Sequence, residues 1–374
     1  MSFLPFTRPT LDDETIQGVV EVLRSGWITT GPNVAALEDA LSKYLGGRPV
    51  RTLSSATTAL EIGLQICGVG PGDEVITPAL SFTATPNVIT RVGARPVFVD
   101  VDLESRNMSL DQTEAAITPR TKAIMPVHFA GLPVNMDRLY EIAQRRGLRV
   151  VEDAAHAIGS SWHGRRIGSF GDVVSFSFHA NKNMTTIEGG ALSVASEEDA
   201  RQVELHRFHG LRQAGPGEMD VLIAGGKGNL TDVAARIGLG QLARLEDFNR
   251  KRRLLAMRYF DRLRTAPAFA LPARGDDGHS WHMFAPLLPL DEMSMGRKEF
   301  IAQMREREIG VGVHYPAMHL FTLYRKLGHK EGDFPNTERI GRSTVTLPLF
   351  PAMETADVDR VCEAAADVIR KAAS

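Results

Sequence analysis

Between Arg51 and Val194 six short runs, EVITP (74–78), PVFVD (96–100), AIMPV (123–127), VVED (150–153), DVVSFSF (172–178) and ALSV (191–194), alternate with amphipathic stretches. Each run is too short for a helix and too continuously apolar for a strand with one wet face. They therefore predict strands covered on both sides, with the intervening helices supplying the cover. The expected fold class is α/β, a mostly parallel central sheet wrapped by helices. In open sheets of this kind ligands collect outside the carboxyl ends of the strands. Asp153, at the end of VVED, stands at such a position.

The helical pattern is punctuated clearly in places. Met136 to Arg146 has helical periodicity and is followed by Gly147, as a C-terminal cap requires. Thr10 with Asp13 reads as a capping-box start, with Ile16, Val19, Val20 and Leu23 on one face and Gly26 as the stop. Thr231 to about Arg264 reads as one long bridging helix. A Pro/Gly-rich connection (272–279) precedes WHMFAPLL, a helix near 296–308, GVGVHYP, VTLPL and a final helix from about Thr355. A chain of 374 residues exceeds the usual size of one core. Two domains are expected: 1–250, with an N-terminal arm at 1–32, and a smaller α+β unit at 251–374.

Composition narrows the partners. With 43 basic and 45 acidic residues the net charge is −2, so no electrostatic footprint for nucleic acid or an anionic membrane is present. The start MSFLPFTRPT lacks an apolar signal core, and no run of about 18 apolar residues occurs, so a cytoplasmic protein is expected. Cys67 and Cys362 form no metal or disulfide pattern, and no metal site is expected. No GxGxxG follows a strand to suggest a nicotinamide enzyme.

Lys182 follows the strand DVVSFSF and precedes a polar turn ending in Gly189 and Gly190. Alone it reads as a solvated surface lysine as readily as a nucleophile. A pyridoxal 5'-phosphate (PLP) site needs three further parts: a cradle for the phosphate, an acid facing the pyridine nitrogen and a flat group against the ring. SSATTALEIGL (54–64) is a strand-to-helix turn whose N–H groups and helix dipole suit a phosphate, and it serves equally as an ordinary helix cap. Asp153 is placed to keep a pyridine nitrogen protonated, or to cap the next helix. Phe82 is a candidate ring-stacking group or a core aromatic.

The ordered blocks GWITTGP (26–32), SSATTALEIGL (54–64), GDEVITPALSFTATPNVI (72–89), VVEDAAHAIGS (151–160), SFSFHANKNMTTIEGGAL (175–192), GNLTDVAARIGLGQL (228–242) and PNTERIGRSTVTLPLFP (335–351) span nearly the whole chain. Together they resemble the DegT-type (DegT/DnrJ/StrS) sugar aminotransferases, PLP enzymes of the aspartate aminotransferase fold. The resemblance implies that Lys182 forms the Schiff base, that Asp153 pairs with the pyridine nitrogen and that Phe82 stacks on the ring. It implies His156 near the phenolic oxygen, and Thr57, Thr58 and Ser177 on the phosphate. Asn229 would complete the phosphate site from the partner subunit of a homodimer. The implied reaction takes an amino group from glutamate, leaving 2-oxoglutarate, to a nucleotide-linked keto-sugar, 4-keto and UDP-linked. Candidate substrate contacts are Trp27, Thr29, His128, Arg212, His314 and Tyr315, while His163, His206 and His209 read as structural or solvated. The segment from Gly210 to Gly228 departs from the family's pattern, and Ile187 stands where relatives carry a smaller residue. The rival readings are a PLP-dependent sugar dehydratase or deoxygenase, a branch in which the lysine position is commonly histidine, and a PLP-binding regulatory protein without turnover.

Overall fold

A computed structural model describes residues 2–215, 217–264 and 269–372. All six apolar runs are strands. β1 (Val50–Leu53), β2 (Glu74–Pro78), β3 (Arg95–Val99), β4 (Thr121–Ile124), β5 (Arg149–Asp153), β6 (Val173–Ser177) and β7 (Gly190–Ser193) form one sheet in the order β1-β7-β6-β5-β4-β2-β3. β7 runs antiparallel to both of its neighbours and every other pairing is parallel. Every residue of β2, β6 and β7 is buried, which accounts for the missing polar alternation. β1 was not among the six runs, because VRTL carries Arg51 and Thr52; its edge is tied instead by Glu38, which accepts from Thr52 N–H at 2.8 Å and Oγ1 at 2.9 Å.

Helix α1 (Asp13–Ser25) starts two residues later than a Thr10 cap would place it, because Asp12 accepts from Thr15 N–H at 2.9 Å. Its expected inner face is also wrong: Ile16 and Leu23 are exposed, while Thr15, Gly18 and Val22 are buried. Small residues win there because α1 lies close against the helix Asp232–Ala243; a Cβ on Gly240 would sit 2.0 Å from Thr15 Oγ1. The expected bridging helix breaks at Arg244 into Asp232–Ala243 and Leu245–Leu263. Buried Asp232 anchors the first of these, its carboxylate accepting from Asn33 and Val34 N–H (3.0 and 2.9 Å) at the start of α2 (Pro32–Tyr44). Met136–Arg146 ends at Gly147 in the left-handed conformation as expected, with φ 64°.

One apolar core packs between the sheet and its helices, and a second gathers residues from Leu255 to Ile369. The helix Leu245–Leu263 serves both, with Leu245 in the first core and Leu255, Tyr259 and Leu263 in the second. The arm belongs with the second unit at its beginning, since Leu4 bridges Ile309 and packs in that core. The helices Arg297–Glu306 and Thr355–Ala372 pack in that core, while Ile340 of the helix Pro335–Ser343 packs in a smaller cluster with Leu80, Val101 and Phe129. Among the described residues no helix is long and apolar enough to cross a membrane, and no group of three His, Cys, Asp or Glu side chains is placed to hold a metal.

Because β7 is antiparallel, it begins at the edge where β5 and β6 end. Its first residue, Gly190, lies against the turn that opens α3 (Ala56–Ile66). A Cβ there would come within 2.6 Å of Ala56 N and Ser55 C and 2.8 Å of Phe176 O, all backbone atoms that cannot rotate away. Gly190→Ala is expected to lower unfolding free energy by about 1–3 kcal/mol through this overpacking and to weaken cofactor binding. Denaturant unfolding and cofactor titration check it; wild-type values in both would refute the steric argument.

Candidate active site

The carboxyl ends of the strands open into a cavity of about 400 Å³, within the range of small-ligand sites. Five elements converge on it. The turn into α3 contributes Ser55, Ala56 and Thr57; the segment after β2 contributes Ser81 and Phe82; Asp153 ends β5, with Ala155 and His156 next; Ser177 ends β6, and His179, Asn181 and Lys182 follow; His314 and Tyr315 come from the second unit. Asp153 pairs in register with Ser175, so two adjacent parallel strands place the acid and the lysine-bearing loop side by side.

Ser55 is the N-cap of α3, its Oγ accepting from Thr58 N–H at 3.1 Å, so the helix's first N–H groups and positive dipole end face the cavity. Opposite, buried Asp153 is held by two donors: Thr85 Oγ1 at 2.7 Å to Oδ2 and Ala155 N–H at 3.2 Å to Oδ1. Burial pushes its carboxyl pKa up, and the Thr85 and Ala155 hydrogen bonds and the Lys182 charge pull it back. Lys182 responds in the opposite direction. Loss of water lowers its amine to about 8, with the Asp153 charge opposing. A neutral amine is thus accessible near neutral pH, which nucleophilic and proton-carrying roles both require.

His156 is buried, its Nδ1 accepting from Ala130 N–H at 3.3 Å and its Nε2 lying 3.2 Å from the Tyr315 hydroxyl. Burial drives its pKa well below the usual histidine value, and Lys182 and His314 add to this. His314 is lowered to about 4 by burial, with the Lys182 charge adding to it, and holds Thr346 Oγ1 at 2.7 Å. Phe82 lies at the mouth, 56% exposed, its ring 5.9 Å from that of Tyr315.

Lys182, Asp153, His156, Thr57, Phe82, Ser177, His314 and Tyr315 therefore share one cavity. The other expected residues do not. Thr58 is turned into the cap, with its hydroxyl 3.0 Å from Ser55 Oγ and 3.3 Å from Ser54 Oγ, and Ser55 lines the cavity in its place. His128 is fully buried; Nδ1 accepts from Val134 N–H at 3.1 Å and Nε2 bonds the Glu152 carboxylate at 2.9 Å, so it has no free nitrogen for a substrate. Trp27, Thr29 and Asn229 lie together at another surface, where Trp27 Nε1 donates to Thr30 O at 3.1 Å and Asn229 Nδ2 to Thr30 Oγ1 at 2.5 Å. Arg212 is exposed on the antiparallel pair Leu211–Gly215 and Glu218–Val221. Residues missed in the sequence include Ser55, Thr85, His179, Asn181 and Glu188. For Thr85 the hydroxyl-rich string SFTATP was the available signal.

The cavity is suited to PLP on its own chemistry: a lysine with a lowered pKa, a buried carboxylate across from it, and a capped helix N-terminus for a phosphate. Removing the amine is expected to stabilise the cofactor-free protein, since a lysine lowered from 10.5 to about 8 opposes folding while it is charged. Lys182→Met should raise the melting temperature at pH 7. The unfolded chain holds the proton between pH 8 and 10.5 and the folded chain has shed it, so wild-type stability recovers across that window and the variant's advantage shrinks. An advantage independent of pH would contradict the lowered pKa.

The family model for the DegT/DnrJ/EryC1/StrS aminotransferases matches residues 9–366. The spore coat polysaccharide biosynthesis protein SpsC of Bacillus subtilis is 41% identical, with 99% of this chain and 98% of that protein covered. Among solved structures, Spr1654 from Streptococcus pneumoniae in its PMP form superposes with a TM-score of 0.94 at 35% identity, covering 99% of this chain and 98% of that one. Helicobacter pylori PseC, an aminotransferase involved in the biosynthesis of pseudoaminic acid, gives 0.94 at 27% identity over 99% and 100% of the two chains. The fold, the site chemistry and these likenesses agree, and the chain belongs to the DegT/DnrJ/EryC1/StrS family of PLP-dependent sugar aminotransferases.

Proposed function

We propose that this aminotransferase moves an amino group from glutamate to a nucleotide-linked keto-sugar, UDP-linked and ketonic at C4, releasing 2-oxoglutarate. The observation that carries the reading is the convergence of Lys182, Asp153 and the α3 N-terminus on one cavity. SpsC serves polysaccharide biosynthesis and PseC the biosynthesis of pseudoaminic acid, which supports a sugar acceptor. The bound cofactor supplies the electron sink for the reaction. The chain's residues do the rest. Lys182 would hold the cofactor through its amine and, as a free neutral amine, would carry the proton from the amino donor's carbon. Asp153 would hold a protonated ring nitrogen. Thr57, Ser177 and the first N–H groups of α3 would hold the phosphate, with Thr58 acting through the cap; Phe82 would cover the ring, and His156, its two nitrogens bonded to Ala130 N–H and Tyr315, would line the site beside it. His314 and Tyr315 face the substrate. A dehydratase would release no amino-sugar, and Lys182 stands where that branch commonly has histidine.

A homodimer completes the reading. Trp27, Ile28, Met219 and Val221 are 60, 46, 77 and 61% exposed, a large apolar surface for one chain to leave uncovered. Asn229, Trp27, Thr29 and Arg212 sit outside their own chain's cavity, which supports their reaching the partner's across a two-fold axis.

Borohydride should fix the cofactor on Lys182, and Lys182→Ala should lose about 10⁴-fold or more of the glutamate half-reaction; peptide mapping to another lysine would sink the assignment. Mixing Lys182→Ala with Asn229→Ala chains at limiting cofactor should restore up to about a quarter of wild-type activity, because each mixed dimer rebuilds one intact site. No restoration under conditions where subunits exchange would show that Asn229 serves its own chain.

A further inference from the structure

Behind His156 lies a second imidazole that the proposed chemistry does not use. His282 is buried and stacked on His156, with ring centroids 4.5 Å apart and planes inclined by 24°. Its Nδ1 is 3.1 Å from Asn183 Oδ1. The direction of that bond is fixed by Asn183, whose Nδ2 donates to Asn249 Oδ1 at 2.8 Å and to the Ser280 carbonyl at 3.0 Å. Both amide hydrogens are spent on acceptors, so Oδ1 accepts and His282 Nδ1 carries the hydrogen. His156 has the opposite tautomer. Its Nδ1 accepts from Ala130 N–H, so its one hydrogen is on Nε2 and is directed at the Tyr315 oxygen, 3.2 Å away.

Burial holds both rings well below the usual histidine pKa, and the charge of Lys182 lowers them further, so neither gains a second proton near neutrality. The Tyr315 oxygen is therefore occupied as an acceptor, and the phenol's own hydrogen is left for the cavity that Tyr315 lines. Burial raises the phenol pKa above the ordinary tyrosine value, so it stays a donor at any working pH.

We propose that Tyr315 is the hydrogen-bond donor which this cavity presents to the carbonyl oxygen of the amino acceptor, its polarity set by His156 and the Ala130 N–H behind it, and that His282, stacked on His156, is the positioning residue that holds that ring in place. The inference rests on the aminotransferase reading for its ligand, and on geometry alone for its tautomers. Asn183 follows Lys182 directly, so the ring stacked behind His156 is anchored on the loop that carries the lysine.

Two measurements test it. In imidazole-¹⁵N spectra of the cofactor-free protein, His156 should be the neutral Nε2–H form and His282 the neutral Nδ1–H form from pH 6 to 8. The reverse tautomer or an imidazolium at either ring overturns the proposal without reference to activity. Conversion of 2-oxoglutarate to glutamate by the amine-loaded enzyme is the second probe. Tyr315→Phe should slow this step about 10- to 100-fold, as removal of one donor to a polarised oxygen does, with KM for 2-oxoglutarate little changed. His282→Phe keeps a flat ring against His156 but offers Asn183 no N–H; it should shift the His156 resonances and slow the same step less. Cofactor absorbance confirms that each variant is folded and loaded. If wild type converts 2-oxoglutarate and Tyr315→Phe matches it, the donor assignment fails while the aminotransferase reading stands; if wild type does not convert it, the reading itself fails.

Discussion

The site depends on an amine and a carboxylate that share one desolvated cavity. Burial pushes the two groups toward neutrality from opposite sides, lowering Lys182 and raising Asp153, and each one's charge restrains the other's shift. Neither partner could be held this way on a mobile loop. Asp153 is the last residue of β5 and pairs with Ser175 of β6, and Lys182 comes only five residues after β6 ends. The sheet register therefore sets how close the charges stand. The antiparallel turn of β7 returns Glu188, Gly189 and Gly190 to the same edge, so the lysine loop closes over the cavity instead of leaving it.

The sequence showed most of the frame because burial is what hydrophobic periodicity reports. All six apolar runs are strands, and the helix ending at Gly147 is where its cap signal put it. Periodicity is blind where packing partners decide. Ile16 and Leu23 form a regular apolar stripe on α1 but face outward, because the approach of α1 to Asp232–Ala243 has room only for small residues such as Gly18 and Gly240. The break at Arg244 has no glycine or proline to announce it.

At the site the same division holds. Lys182 and Asp153 were legible because strand ends are where such groups collect. Which of several neighbouring hydroxyls faces a ligand was not, since the helical phase of one turn decides it: Ser55 and Thr57 line the cavity and Thr58 turns into the cap. His128 misled for a related reason. A histidine after a strand reads as a ligand contact, but the carboxylate of Glu152, from the neighbouring strand β5, claims its Nε2. His282 and Asn183 were invisible as partners because their meeting is tertiary, 99 residues apart in the chain.

Charge gives the cavity a direction. Among the described residues that line it, the basic side chains are Lys182, His156, His179 and His314, and the acidic ones are Asp153 and Glu188. Lys182 is committed to Asp153, and burial lowers His314 to about 4, so it carries no charge near neutrality. Little positive charge remains in the wall of one chain for the two phosphates of the nucleotide-linked sugar proposed as acceptor. Arg212 is a solvent-facing guanidinium on an antiparallel pair whose Met219 and Val221 are also uncovered. A guanidinium carried on an outward strand pair with two exposed apolar side chains is well suited to serve a second copy. On this argument the dimer contact and the grip on the proposed substrate's phosphates are one question, because the same strand pair would set both.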